Sequence, residues 1–594
     1  MMTQQIIPLS QPWDAVLRGV TAAPGHAFAA GLGPLVLAPG GSTVRAAGVP
    51  YPLPVHGPPF PLPIIGEVQA YDLPVTGRAE EGDLRVRAGG AAIALRMEEQ
   101  IPYSRRRARG ATDHDTPEVS RRAIEFVDTL VSTMLELRLC AEYFAGRIAR
   151  ELVSPISDWL VPAKGEFEPA GPLPLARLPW PAVGKCLLGE RKQPRMDVIV
   201  RIAEEFEKPL VRLAEAPRRI LRRERSMAGL GSVQEIDDAC LEWLVRQPGR
   251  TPVQKAGPRQ EMLAVIRYES YDTLENRVLK DFLRRCRDAA DLYVDQNRKY
   301  SGTERYKLVA RFRNRCKGLL ALEQWAGVSG LHGIPQPNYV LQHDRSYREL
   351  WKWYLQLVHR ERQTDEAWRW QRRLWAEMVR LGVGAAIYEL AMTEAGKNAE
   401  VLIEAPYEHS VWFRNEQDCG TWAAAVDWPG PLVVRRAGKP DVIVECVHPH
   451  DPRAAACHRR DLLPDWCGAV GADLALLFCP LGGHNVGRDV CLFVWAVHCA
   501  TEEPSDSRVT GQPQEACQAL CRFQGELRDD NIVFRGIILR SRLDGKYEDL
   551  PSAREVDGTE VVGLTLPAGP DLWRKELLGL LRIHICNCAD TCFG

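Results

Sequence analysis

Tyr271-Asp272-Thr273-Leu274-Glu275-Asn276-Arg277-Val278-Leu279-Lys280 reads as the opening of a helix. Asp272 is a side chain of the N-cap type, and Glu275, three positions on, can return a bond to the backbone N–H of the cap. Leu274, Val278, Leu279 and Phe282 then recur at helical spacing and define one apolar face. The other face begins with Asn276, Arg277 and Lys280, three donors suited to phosphate or to a carboxylate partner. A well-capped structural helix with a solvated charged face accounts for the same residues more simply.

Working outward, the chain of 594 residues is too long for one core and implies about three to five domains. Its composition, 45% hydrophobic and 26% charged with a formal net charge of −1, is that of a globular protein without a global basic excess. Any contact with nucleic acid must therefore come from a local patch. The 17 cysteines are scattered, which points to reduced thiols in a cytoplasm and not to a disulfide framework. Met1 to Ser10 lacks the basic-then-apolar build of a signal peptide, and no apolar run reaches membrane-spanning length. The expected location is cytoplasmic, with no membrane partner.

The texture changes along the chain. Residues 1–104 hold short apolar runs between Gly and Pro turn signals and predict a β-rich domain, with Val49 to Pro63 extended. Ser104-Arg105-Arg106-Arg107-Ala108-Arg109-Gly110 is a basic linker. Residues 117–330 predict a helical domain: Ala123–Val153, Met196–Arg225, Gln234–Val245 and Leu274–Tyr300 carry apolar residues at three- and four-residue spacing, with a Pro-rich break from Pro162 to Pro181. From Arg277 to Arg380 the chain is basic, with 22 Lys and Arg against 12 acids. Arg277, Lys280, Arg311, Arg313 and Arg315 are the candidate DNA contacts there. Trp351, Trp353, Trp368, Trp370 and Trp375 could stack on bases, although Trp at helical spacing more often fills a core. Residues 335–500 read as a further domain, and beyond about 385 its texture turns to strands: 401–404, 411–413, 421–426, 432–434, 442–444, the buried-type run 474–480, and 491–497, with a helix-like segment over 452–470. Residues 501–594 predict a C-terminal extension: a loop over 502–514, strands 532–539 and 561–566, and a short helix 573–581.

Thr273-Leu274-Glu275-Asn276-Arg277 resembles the T-x-E-N-R segment of a prokaryotic family related to McrC. That resemblance implies a helical region joined to a PD-(D/E)xK nuclease domain, paired in antiviral defence or restriction with a McrB-like AAA+ ATPase or GTPase. The fold class it implies is α+β and multidomain: a β-rich N-terminal domain, a helical middle and a PD-(D/E)xK-like α/β C-terminal domain. Such enzymes gather carboxylates around Mg²⁺, which activates water and offsets charge on the phosphate. Glu389, Asp427 and Glu445 occur in the order the family uses, with Asp427 and Glu445 as metal ligands. The strand 432–434, the turn at Ala437-Gly438 and the strand 441–447 make a hairpin to carry them. The family's acid-x-Lys is Glu445-Cys446-Val447 here, so Lys439 or His448 would have to replace the missing lysine. Two outcomes stay open: a Mg²⁺-dependent DNA endonuclease, or a catalytically degenerate scaffold that binds DNA or partner subunits within a larger complex.

Two Cys/His groups, His448/His450/Cys457/His458 and His584/Cys586/Cys588/Cys592, contain ligands of the kind Zn²⁺ takes, but without paired Cys-x-x-Cys knuckles. No G-x-x-x-x-G-K-[ST] phosphate loop and no G-x-S-x-G elbow occurs, so nucleotide-driven work falls to a partner.

Overall fold

Val442-Ile443-Val444-Glu445-Cys446-Val447 alternates its side chains between two faces. In the computed structural model it is the third strand of an eight-stranded sheet. The structure describes strands and short pieces of the first 98 residues, the helix Glu118–Glu151 and residues 174–394. Beyond these it describes 401–404, 410–414, 423–424, 431–447, 463–481, 487–498, 506–541 and 552–594, with a few single positions left out of those ranges. The chain divides into two compact units, one of residues 192–361 and one of residues 1–191 with 362–594.

The large sheet belongs to the second of these. Its strands run in the order Val401–Glu404, Leu432–Arg436, Val442–Val447, Leu474–Pro480, Asp489–His498, Ile532–Ser541, Thr559–Leu566 and Ser552–Val556. The expected hairpin is present, with Val433 opposite Ile443 and Gly438 at φ +76 in its turn. The strand Leu474–Pro480 pairs antiparallel with Val442–Val447, although the helix Leu463–Val470 lies between them in sequence. Asp489–His498, Ile532–Ser541 and Thr559–Leu566 run parallel, and the helix Asp506–Leu527 connects the first two.

Both faces of the sheet are covered. On one, Val442, Val444, Cys446, Leu476 and Val494 meet the helix Gln371–Glu394 through Ala386, Ile387 and Leu390. The final helix, Arg574–Thr591, contributes Leu577, Leu581 and Ile585 to the same core. On the other, Ala475, Leu477, Phe493 and Phe534 meet Trp466, Val470, Leu520 and Phe523 of the helices Leu463–Val470 and Asp506–Leu527. The first hundred residues supply a five-stranded and a four-stranded sheet, as the β-rich reading expects. The α+β, multidomain class therefore stands. No helix among the described residues is long and apolar enough to cross a membrane.

Several local expectations are corrected. Residues 502–514 were expected to form a loop, but the helix Asp506–Leu527 runs through Pro513; burial of Ala516, Cys517, Leu520 and Phe523 outweighs the proline. The final helix spans Arg574–Thr591, far beyond 581, so His584, Cys588 and Cys592 form one helical stripe into the core. The helix read over 196–225 is two short helices, Val198–Glu205 and Glu207–Glu215, followed by a strand, Ile220–Gly229. That strand pairs along its whole length with Glu261–Ser270. The strand Ser410–Arg414 joins Pro174–Pro179 and Ala423–Ala424 in a separate sheet. The Arg-rich linker 104–110 lies outside the described residues.

The 192–361 unit is built mainly of helices around that two-stranded ribbon. Asp197 caps its first helix by accepting from Ile199 N, and Asp237 caps Asp238–Arg246 by accepting from Cys240 N. The helices Leu274–Gln296 and Glu304–Leu320 pack side by side, burying Phe282, Cys286, Phe312 and Cys316.

Candidate functional site

The hairpin strand decides where the carboxylates go. Residues directly opposite in a ladder share a face, and Glu445 sits opposite Leu477. Leu477 belongs to the core beneath Trp466 and Phe523, and Ile443, two residues before Glu445, packs against that same core. Glu445 thus points to the Leu463–Val470 side of the sheet, where it is 3% exposed. Glu389 stands on the helix Gln371–Glu394, which covers the opposite face. Its carboxylate accepts from Nε of Arg574, at 2.9 Å, at the start of the final helix. Glu389 and Glu445 are therefore separated by the sheet itself, which corrects the expectation that they converge.

Lys439 extends from the turn to Asp590 Oδ1 at 2.6 Å and is engaged on the surface of the final helix. Asp427, His448, His450, Cys457 and His458 lie outside the described residues. Glu389 and Glu445, the two described carboxylates of the set, do not fit a shared Mg²⁺ ion. No group of three or more His, Cys, Asp or Glu among the described residues is placed to hold a metal. In the tail, burial pushes the Cys588 thiol well up and Cys592 up to about 12. His584 is 5% exposed, and burial lowers its pKa.

The segment at 271–280 turns inward. Thr273, not Asp272, is the N-cap, its Oγ1 accepting from Asn276 N at 3.3 Å. Asp272 instead takes a two-pronged bond from Arg277, Nε at 2.7 Å and Nη2 at 2.6 Å, and accepts from Ser329 N at 3.0 Å. These donors, Arg277 first, hold its carboxyl well below the usual range. Glu275 does not return to the cap. It pairs with Arg218 at 3.0 Å and accepts from Asn338 Nδ2 at 2.9 Å.

Asn276 is fully buried. Its Nδ2 donates to Arg218 O and Tyr271 O, both at 2.8 Å, and its Oδ1 accepts from Tyr347 Oη at 2.9 Å. Burial pushes the Tyr347 phenol up to about 12, so it stays a donor at every working pH. Lys280 Nζ donates to Trp325 O at 2.9 Å and Val328 O at 2.7 Å. Asp272, Glu275, Asn276 and Lys280 thus join the start of their helix to segments 45 to 71 positions away, and Arg277 holds Asp272 in place. The segment is a folding node, and Arg277 and Lys280 are spent within it.

Local spacing could not have revealed the partners Arg218, Ser329, Asn338 and Tyr347. The sequence unit that holds them is nevertheless recognisable. A family model described as a domain of unknown function (DUF2357) matches residues 193–354, nearly the whole 192–361 unit. A search of curated proteins returned no match. Among solved structures, the chain is similar to one in a refined half-complex from a tetradecameric assembly of Thermococcus gammatolerans McrB AAA+ hexamers with bound McrC. The identity is 9%, the match covers 65% of this chain and 69% of that one, and the TM-score is 0.17. At that score the likeness carries no structural argument.

Of the other DNA-contact candidates, Arg313 shares Asp291 with Lys317, while Arg311 and Arg315 are exposed on the helix Glu304–Leu320. Trp353, Trp370 and Trp375 are buried, and Trp351 stacks on Tyr354 at 5.4 Å, which favours the core role over base stacking. The Trp368 side chain lies outside what is described. A polar group that the periodicity did not signal is buried beside the sheet: Arg380 donates to Glu377 Oε1 at 2.8 Å and to Asp473 O at 3.2 Å, and Asp473 accepts from Ala496 N at 2.8 Å.

Proposed function

We propose that this chain is a DNA-directed, non-cleaving scaffold of a prokaryotic defence or restriction system, a McrC-like component acting beside an AAA+ partner. The observation that carries the non-cleaving part is the placement of Glu389 and Glu445 on opposite faces of one sheet. Two supports stand beside it: Val447 occupies the position of the family's lysine, and Lys439 is engaged by Asp590. The T-x-E-N-R resemblance supports the McrC-like part. The lack of a phosphate loop in the sequence supports a separate motor. In this reading the PD-(D/E)xK-like sheet is a retained platform, and the inward-turned 271–280 segment keeps the helical unit in register.

The competing reading is a Mg²⁺-dependent endonuclease with Asp427 and Glu445 as its ligands. It is favoured by the presence of a buried carboxylate at position 445 on an otherwise apolar strand. Incubation of the purified chain with supercoiled plasmid and Mg²⁺ or Mn²⁺ separates the two. The scaffold retains plasmid in a mobility shift and leaves it uncut. Nicking that disappears with Glu445→Ala would overturn the scaffold.

A further inference from the structure

Charge is divided unevenly between the two units. Residues 192–361 hold 32 Lys and Arg against 23 Asp and Glu, a formal +9; the whole chain is −1, so the remaining residues carry −10. Within the basic unit, the helix Glu304–Leu320 has six Lys or Arg and a single acid, Glu304. Its apolar face is committed, because Val309, Phe312, Cys316 and Leu319 are buried. Arg305 donates to Pro194 O at 2.6 Å, and Arg313 and Lys317 both face Asp291.

Lys307, Arg311 and Arg315 remain, all exposed and at helical spacing on the side away from the core; Asn314, also exposed, lies between them and accepts from Arg313 Nε at 3.3 Å through Oδ1, which leaves its Nδ2. Among the described residues, Lys307 has only its helix neighbour Glu304, at 3.4 Å. Arg311 and Arg315 have no ion-pair or hydrogen-bond partner among the described residues, in a unit whose other arginines are mostly paired. Positions 307, 311 and 315 are about 6 Å apart along the axis, so the stripe spans about 12 Å. One strand of duplex DNA presents a charge about every 3.4 Å of axis, so this length faces roughly three phosphates.

We infer that Lys307, Arg311 and Arg315, with Asn314 between them, seat the phosphate backbone of duplex DNA along the outer face of the Glu304–Leu320 helix. The inference rests on the DNA-directed part of the proposed function and assigns that contact to one helix. The occupant is a duplex because this stripe holds no aromatic side chain. Single strands are gripped largely by stacking on such rings, whereas a row of guanidinium, ammonium and amide donors fits a fixed backbone without reading bases.

The test uses the full-length chain and a fluorescent duplex of random sequence, with anisotropy followed across a salt series. The stripe variant is Arg311→Glu with Arg315→Glu. The control is Arg246→Glu with Arg298→Glu, which makes the same charge change at exposed positions elsewhere in the unit. The stripe variant should bind at least tenfold more weakly, and its log–log salt slope should fall by about 2, because each lost phosphate contact removes about 0.9. The control should keep both slope and affinity within about threefold of the wild type.

If the wild type binds DNA and the stripe variant matches it, or the control loses as much, the helix assignment is overturned and the DNA-directed reading survives. If a single strand displaces the duplex more effectively than the duplex itself does, the duplex assignment is overturned. If the wild type binds no DNA at low salt, the proposed function fails first and this inference with it.

Discussion

Asn276→Leu tests the folding-node account of the 271–280 segment. The side chain it replaces is fully buried and makes three hydrogen bonds, two from Nδ2 to the Arg218 and Tyr271 carbonyls and one into Oδ1 from Tyr347. Leucine is close in volume, so little cavity opens, and its helix propensity is slightly better. The cost lies in the stranded partners. A buried polar group left unmade costs about 1–3 kcal/mol. Two carbonyls lose a donor, while Tyr347 loses an acceptor but keeps the bond from Arg218 N at 3.0 Å. Arg218 is partly exposed, so water can recover some of the loss. The net expectation is about 3–5 kcal/mol. Hydrogen exchange of the amides in Leu274–Gln296 measures this locally and avoids treating a two-unit protein as two-state. Arg277→Gln should cost about 1 kcal/mol or less, since its ion pair is half-open to solvent. A loss below about 1 kcal/mol for Asn276→Leu, or a larger loss for Arg277→Gln, would refute the node.

Three further outcomes follow. The depressed carboxyl of Asp272 contributes stability above its unfolded pKa of about 3.9 and loses it as pH falls through the lower folded value, so Asp272→Asn should flatten the acid limb of unfolding below pH ~4; an unchanged limb contradicts this. His498, buried against Phe126 at 5.5 Å and bonded through Nδ1 to Ser541 Oγ at 2.6 Å, has its pKa lowered to about 4, first by burial and then by Arg372. Because its folded pKa is depressed, its contribution is complete above pH 6.5 and declines toward pH 4, by about 3 kcal/mol, and His498→Asn should remove that slope from urea titrations. The Cys140 and Cys186 sulfurs are 3.8 Å apart, so a thiol oxidant such as diamide should join them in one peptide pair by mass spectrometry; separate alkylation of both after oxidation would rule the contact out.

Parts of this fold could be read from the residues directly. The hairpin, the buried strand at 474–480 and the long helices each have a periodicity that matches their final partners. The first part of the ribbon strand, 220–225, falls within the helical reading of 196–225 because its Arg and Glu residues fit a solvated helical face as easily as an exposed strand; its pairing with 261–270 is a non-local fact. The helix through Pro513 was hidden because a proline there signals a break, and only the apolar surface it covers overrides that signal. The site was harder still. Order along the chain suggested that Glu389 and Glu445 meet, but a strand sends alternate side chains to opposite faces, and the register opposite Leu477 sets which face Glu445 takes. Likewise, charged residues at 277 and 280 looked outward-facing until Asp272 and the carbonyls of Trp325 and Val328 supplied partners from the chain itself.

The separation of Glu389 from Glu445 is tested most directly by Mn²⁺ titration followed by electron paramagnetic resonance, on the wild type, Glu389→Gln and Glu445→Gln. With the sheet between the two carboxylates, no Mn²⁺ site should depend on both. A site present in the wild type and abolished by each substitution separately would mean that the two carboxylates share an ion, and would contradict the account.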